Sequence, residues 1–318
     1  MSHEGFIPRE NQKDVMRLGT SGERPSQSSE TERRVLRNLA RQDSVVAPPA
    51  AVPVLGNEDT ATVEEKPSAG LTIAEETILA IVRDGLKHDR IDLFLQPIVK
   101  LPQRTRRFYE CYSRIRAADG SMVLPAQFLG LARDHGLLDA IDNIVLFRCI
   151  QLVRKAQRHN HNLGFFCNIS MQTLGDRKFF PQFIDFMAEN RNLASRLTFD
   201  LAAEDVDSQW NEVADDLDRL ARLGFRFSMD RVTHTGFDPE LMARRHFKFV
   251  KVDVETLLDR SRDGGNHLRL LMREIDRNGI DLIVGKVETQ AQLIELLDLG
   301  IYFAQGFLFG EPRPSRRG

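Results

Sequence analysis

Cysteines are few in this sequence, which has three in 318 residues, Cys111, Cys149 and Cys167. An odd and scattered set indicates neither a disulfide framework nor a cysteine-based zinc site. An excess of positive charge is also lacking, because 46 Asp and Glu oppose 44 Lys and Arg, so the chain cannot bind nucleic acid by charge alone. No apolar run reaches the roughly 18 residues of a membrane span, and the first residues lack the apolar core of a signal peptide. We therefore expect a cytoplasmic protein with no membrane span and no nucleic-acid partner.

Aromatic residues are almost missing from residues 1–70, which hold only Phe6 and six of the 13 prolines. Such a segment cannot bury enough apolar surface to offset chain entropy. We predict a disordered tail and linker over 1–70. Within it, 31–42 is either a short amphipathic helix that docks a partner or a solvated part of the tail. Residues 71–318 are predicted to form one folded domain.

The folded part alternates between helical and strand patterns. Thr72 and Glu75 form a T-x-x-E capping box before an amphipathic helix. Further helices are predicted at 125–135, 139–158, 176–190, 206–222, 256–278 and 289–298. Strands are predicted at 92–99, 107–115, 163–169, 196–201, 224–230, 247–253, 281–284 and 301–304. This alternation over about 245 residues predicts an α/β fold, a closed barrel of parallel type. An open doubly wound sheet is the alternative, but its G-x-G-x-x-G turn is missing.

Polar residues stand at the carboxyl ends of the predicted strands, where barrel enzymes place their chemistry. They are Glu110, Asn168, Asp200, Asp230, Lys251, Asp253 and Glu288. Any one of them could be a solvated strand end. Together, carboxylates and an amide oxygen are hard ligands that suit Mg²⁺, Mn²⁺ or Ca²⁺ better than zinc. Two such ions a few ångströms apart are a standard arrangement for phosphodiester hydrolysis.

Short segments around these residues follow one another in a fixed order. They are LFLQPIV (93–99), ECYSR (110–114), CNIS (167–170), LTFDLAAE (197–204), LGFRFSMDRVTHTGFD (223–238), VKVD (250–253), VGKVETQAQL (284–293) and QGFLFGEP (305–312). In this order they resemble the motifs of the EAL family, phosphodiesterases that bind and hydrolyse cyclic di-GMP. The resemblance covers about 72–316 and implies a TIM-like (β/α)8 barrel of the EAL type.

The resemblance implies a metal site whose ligands are only partly present. The family's ligands for one ion fall on Glu110, Asn168, Asp200 and Asp230, with Asp200 one methylene shorter than the family's Glu. The family's Asp that holds the other ion is replaced here by Arg231, and a guanidinium cannot ligate a metal. The family's Glu that activates water is replaced by Gly285, and its Glu that steadies a loop over the site is replaced by Ala203. We therefore expect no catalytic residues, no required cofactor and, at most, one Mg²⁺ or Ca²⁺ at a vestigial site.

Ligand binding uses other positions of the same motifs. The resemblance implies that Gln96 contacts a guanine edge and that Arg114 contacts a phosphate. The guanidinium of arginine suits a phosphate because it offers several charged N–H donors in one plane. Phe309, Glu311 and Pro312 match positions near the second guanine, although Glu311 could instead be a surface loop residue. Further contacts with the nucleotide are expected from the four residues of the vestigial metal site and from Arg231, Lys251, Glu288 and Gln305. Tyr112 is expected to point inward with Glu110 and to narrow the site.

Arg231 has two interpretations. Its guanidinium could replace the charge of the second metal, or it could face outward and pair with a neighbouring acid.

Three functions follow for this degenerate EAL barrel. It could be a catalytically inactive cyclic di-GMP receptor that relays to a protein partner, a nucleotide-independent interaction scaffold, or a weak one-metal phosphodiesterase. Two phrases, FLQPIVKLPQRTRRFYE and QGFLFGEP, are also similar to the TipF group, EAL receptors linked to flagellar placement. Members of the family commonly pair into dimers, so a homodimer is a further expectation.

Overall fold

The structure is a computed structural model that describes residues 72–159, 162–177, 179–261 and 266–315. The predicted tail at 1–70, including 31–42, lies outside the described residues. The strands are β1 Ile91–Lys100, β2 Thr105–Arg116, β3 Met122–Val123, β4 Gly164–Asn168, β5 Leu197–Ala202, β6 Arg226–Val232, β7 Phe247–Asp253, β8 Asp281–Gly285, β9 Phe303–Gln305 and β10 Arg313–Pro314. The helices are α1 Ile73–Lys87, α2 Pro125–Asp134, α3 Leu138–Arg158, α4 Met171–Gly175, α5 Phe180–Glu189, α6 Ala203–Arg222, α7 Pro239–Arg244, α8 Val254–Ser261, α9 Asn266–Arg277 and α10 Gln290–Asp298.

The sheet closes on itself as a barrel. Its ring runs β1, β2, β4, β5, β6, β7, β8 and β9, and β1 then closes the circle by pairing with both β9 and β2. Within this ring the strands from β2 to β9 run parallel, whereas β1 is antiparallel to both of its ring neighbours; β3 pairs antiparallel with β2 outside the ring. The cause lies in the short turn 101–104 between β1 and β2, because parallel neighbours need a crossover of about a dozen residues. The predicted closed α/β barrel is confirmed, with one strand reversed.

Aromatic rings fill one end of the barrel interior. Phe108, Phe166 and Phe249 point inward from β2, β4 and β7, and each is at most 9% exposed. The Phe166 and Phe249 rings meet edge to face with centroids 5.0 Å apart, a favourable geometry for aromatic pairs. This layer closes the amino-terminal end of the parallel strands. Side chains two residues further along each strand therefore form the next layer, toward the carboxyl ends.

The helix predicted at 176–190 begins only at Phe180, as α5. The short helix α4, which was not predicted, ends before Asp176, whose backbone is extended and whose carboxylate accepts a hydrogen bond from the Phe179 amide. The short helix α7 was not predicted either. Of the helix predicted at 256–278, the structure describes α8 as far as Ser261 and α9 from Asn266 to Arg277. Within the described ranges, no helix has both the length and the apolar character to cross a bilayer.

Candidate functional site

A cavity of about 780 Å³ lies at the carboxyl ends of the parallel strands. Its lining contains most of the residues predicted for the site: Gln96, Glu110, Asn168, Asp200, Asp230, Arg231, Lys251, Gly285, Glu288 and Gln305. Period-two alternation explains this, because Glu110, Asn168 and Lys251 follow the inward phenylalanines by two residues. The barrel thus brings together side chains that are far apart in the sequence.

The ammonium of Lys251 lies among the carboxylates at the floor of the cavity. Its Nζ donates to Glu110 Oε2 at 2.6 Å and also pairs with Asp200 Oδ2. All three side chains are at most 6% exposed. One carboxylate oxygen each from Glu110, Asp200 and Asp230 lies within 4.8 Å of the others. The predicted convergence of these acids is therefore present, with a lysine inside it.

The pKa shifts in this cluster follow from burial and from the lysine charge. Burial acts to lower the pKa of Lys251, but the surrounding carboxylates, Asp200 first, outweigh it and hold the pKa well above its usual value. Burial acts to raise the pKa of Glu110, but the Lys251 charge and its hydrogen bond hold that pKa below the usual range. Burial raises the pKa of Asp200, and the Lys251 ammonium opposes this rise without cancelling it. The lysine therefore stays charged and neutralises part of the acidic cluster.

The side-chain amide of Gln305 links Gln96, a predicted ligand-binding residue, to Glu110 of the acidic cluster. Its Nε2 lies 3.0 Å from Gln96 Oε1, 2.9 Å from Glu110 Oε2 and 3.1 Å from the Tyr112 hydroxyl. Because an amide nitrogen has two hydrogens, it can donate to two of these three at a time. Gln96 in turn donates to the Gly310 carbonyl at 3.2 Å. Tyr112 does point inward with Glu110, as expected from their common face on β2.

The residues expected to disable catalysis lie around the same cavity. Arg231, at the end of β6, lines the wall with a left-handed backbone (φ 56°), and its side chain is 58% exposed. Its Nη1 is 3.6 Å from Glu204 Oε1, which matches the interpretation of an arginine paired to a neighbouring acid. Gly285 ends β8 on the wall, and Ala203 begins α6.

The donor set fits one hard metal ion. Glu110, Asp200 and Asp230 provide oxygen ligands of the kind that Mg²⁺ and Ca²⁺ prefer. Asp200 Oδ1 is buried and has no hydrogen-bond partner among the described residues, so one oxygen is available. An ion at this place would compete with the Lys251 ammonium for two of the three carboxylates. Asn168 is turned with its Nδ2 toward Glu110 Oε1 at 3.4 Å, and its amide would have to present oxygen instead.

Four of the predicted ligand-binding residues lie outside the cavity lining. The Arg114 guanidinium stacks over the Phe94 ring, with its Cζ 4.0 Å from the ring centroid. Phe309, Glu311 and Pro312 lie in the segment between β9 and β10. Their roles toward a ligand stay predictions.

Sequence reasoning missed several charged residues of the lining. Arg133 on α2, Asp142 on α3, Glu204 on α6 and Lys286 after β8 all line the cavity. Lys286 had a signal in the sequence, because V-G-K-V-E places a lysine where the resembling motif A-E-G-V-E has glycine. The others come from helix ends, whose position over the cavity depends on the tertiary fold.

Comparisons with known proteins agree with this architecture. A family model described as the EAL domain matches residues 79–312. The chain is 25% identical over 246 residues to an uncharacterised 76.5 kDa protein of Thiocystis violacea, an alignment that covers 77% of this chain and 35% of that protein. It is 24% identical over 237 residues to the cyclic di-GMP phosphodiesterase NbdA of Pseudomonas aeruginosa, covering 73% and 30%. The chain thus spans about a third of the length of these relatives.

Solved structures show the same fold. The FimX EAL domain of Xanthomonas citri, in complex with cyclic di-GMP, matches with a TM-score of 0.66 at 20% identity, covering 77% of this chain and 96% of that one. At this identity the likeness concerns the fold alone.

Proposed function

The chain belongs to the EAL-domain family, and we propose that it binds cyclic di-GMP without hydrolysing it and relays this signal to a protein partner. One observation carries the proposal: the cavity keeps Gln96 and a polar floor, while its wall has Arg231 and Gly285 where a two-ion phosphodiesterase needs a metal ligand and a group that activates water. The relatives NbdA and FimX are, by name, a cyclic di-GMP phosphodiesterase and a cyclic di-GMP complex.

Loss of hydrolysis follows from the residues on the cavity wall. A two-ion phosphodiesterase needs ligands for both ions and a group that activates water. Arg231 is cationic and cannot ligate, and Gly285 has no side chain to accept a proton. A single Mg²⁺ or Ca²⁺ on Glu110, Asp200 and Asp230 would neutralise negative charge on a phosphate. The carboxylate nearest to the Gly285 position is that of Asp253, and it is paired to Lys286 Nζ at 2.7 Å.

Binding is supported by the size and polarity of the cavity. Its volume of about 780 Å³ lies within the roughly 300–1,000 Å³ of small-molecule sites. Its floor offers an amide at Gln96 and another at Gln305, held together by the hydrogen bond that Gln305 Nε2 donates to Gln96 Oε1. Such amides can pair with base edges without any metal. The proposal therefore requires no cofactor.

Turnover and binding can be measured on the same protein. We expect no linear dinucleotide above the background after incubation of cyclic di-GMP with the full chain and Mg²⁺ or Mn²⁺, analysed by chromatography. Turnover near that of intact family members would contradict the proposal. Gln96→Ala should weaken binding, because Gln96 lines the cavity, whereas Arg116→Ala should not, because Arg116 pairs with Asp92 at 2.8 Å outside the cavity.

A weak one-metal phosphodiesterase is the second candidate. It is favoured by the three carboxylate oxygens within 4.8 Å of one another. Slow hydrolysis that requires Mg²⁺ or Mn²⁺ and is abolished by Asp230→Asn would select this function instead.

A further inference from the structure

Lys286 occupies a backbone position that does not favour a lysine. It follows β8 directly and has a left-handed φ of 56°. Glycine adopts this conformation freely, whereas a residue with a Cβ is strained there. A long cationic side chain at this place therefore needs a reason other than backbone preference.

The ion pair that Lys286 makes does not supply a sufficient reason. Its Nζ lies 2.7 Å from Asp253 Oδ2, but the two side chains are 72% and 43% exposed. Exposed ion pairs contribute little to stability, because water screens them and two side chains must be ordered. The stability of the fold thus does not explain a lysine at position 286.

Lys286 is the most accessible of the cations in the cavity lining. The four are Arg133, Arg231, Lys251 and Lys286. Their side chains are 44%, 58%, 6% and 72% exposed, in that order. Lys251 is enclosed between Glu110 and Asp200, and Arg133 is bonded to Asp205 at 3.2 Å. Acids outnumber cations in this lining, so an anionic ligand has to place its charge against an exposed cation. Lys286 and Arg231 are the two that are more than half exposed, and Lys286 is the more exposed of them.

The wall beside Lys286 is open because Gly285 has no side chain. A Cβ at Gly285 would lie 3.4 Å from Asp253 Oδ1, so the absent side chain leaves space next to the Lys286–Asp253 pair. An ammonium has three hydrogens. Lys286 can therefore keep Asp253 as one acceptor and still donate to a ligand oxygen on its exposed side.

We propose that Lys286 binds a phosphate oxygen of the dinucleotide, an inference that rests on the receptor function proposed above. It makes Lys286 a ligand-binding residue at a position where the family motif has glycine. The loss of the neighbouring acid at Gly285 and the gain of this cation then act together, since both make the wall more favourable for a phosphate.

The test is Lys286→Gly in the full chain, because glycine removes the ammonium and relieves the backbone strain. We expect cyclic di-GMP affinity to fall about tenfold, which corresponds to about 1.4 kcal/mol. We expect the melting temperature to rise by about 2–4 °C. Lys286→Arg keeps the charge and should bind within about threefold of wild type, a difference well under the tenfold of one full contact.

Arg104→Gly is the matched control. Arg104 also has a left-handed φ, 54°, and an exposed side chain bonded to Gln290, but it does not line the cavity. The melting temperature of this variant should rise similarly while its affinity for cyclic di-GMP stays at the wild-type value.

Wild-type affinity in Lys286→Gly would overturn the inference and leave the receptor function standing. A wild type that binds no cyclic di-GMP would overturn both. Weaker binding together with a lower melting temperature in Lys286→Gly would mark the lysine as structural and also overturn the inference.

Discussion

Lys251→Met removes the ammonium that lies among three acids while keeping a side chain of similar length. In wild type, Lys251, Glu110 and Asp200 are 6%, 4% and 0% exposed. The variant leaves the carboxylates buried without their counter-charge. We therefore expect a large loss of stability, in contrast to the small effects of surface charges.

The size of the loss follows from the burial. Removing one partner of a buried ion pair costs about 3–5 kcal/mol of unfolding free energy. Each kcal/mol shifts the melting temperature of a domain of this size by about 2–4 °C, so a decrease of about 6–20 °C is expected at neutral pH. The difference from wild type should narrow as the pH falls, because protonation neutralises the carboxylates that have lost their lysine. The raised pKa of buried Asp200 places it first among them.

Thermal unfolding followed by circular dichroism, with EDTA or with Mg²⁺ or Ca²⁺, measures both effects. A divalent ion should stabilise Lys251→Met by about 2.7 kcal/mol at a hundred times its Kd, and wild type by less, because the ammonium no longer competes in the variant. Lys248→Met on the same strand is the control, since the Lys248–Asp281 pair is 3.3 Å long and 36% exposed at both ends. A variant as stable as wild type in EDTA would refute the placement of Lys251 in the acidic cluster.

Three further outcomes follow from the packing. Phe166→Ala should cost about 3–5 kcal/mol in chemical denaturation, because the ring is fully buried in the aromatic layer; a loss under about 1 kcal/mol would contradict that packing. Burial raises the pKa of Asp142 to about 6. The folded state therefore binds this proton more tightly, and wild type should lose about 2 kcal/mol relative to Asp142→Asn as pH rises from 4 to 7; parallel pH profiles would contradict this. Gly306→Ala should prevent folding of the cavity wall, because its Cβ would lie 2.3 Å from the Val287 nitrogen, and a native-like circular dichroism spectrum would contradict it.

The barrel could be predicted because strand and helix patterns alternate along the sequence. The pattern of strands and helices does not predict the direction of each strand. The structure shows that β1 is antiparallel to β2, because the turn 101–104 between them is too short for a parallel crossover. The predicted helix at 176–190 starts too early, because apolar spacing continues across Asp176, where the backbone is extended, whereas α5 begins at Phe180.

The acids of the site could be predicted from their places at strand ends, as Glu110, Asp200 and Asp230 show. The ion pair between Lys251 and Glu110 could not, because the two residues are 141 positions apart and meet only across the closed barrel. The strain at Lys286 was equally hidden, since φ depends on the turn that the chain makes after β8.

The most direct test of binding without hydrolysis is isothermal titration of the full chain with cyclic di-GMP in EDTA, together with a parallel incubation in Mg²⁺ or Mn²⁺ whose ligand is then analysed by chromatography. We expect saturable binding in EDTA and intact cyclic di-GMP after the incubation with metal, because the amides and cations of the cavity act without a metal. The absence of binding, or recovery of linear dinucleotide, would contradict it.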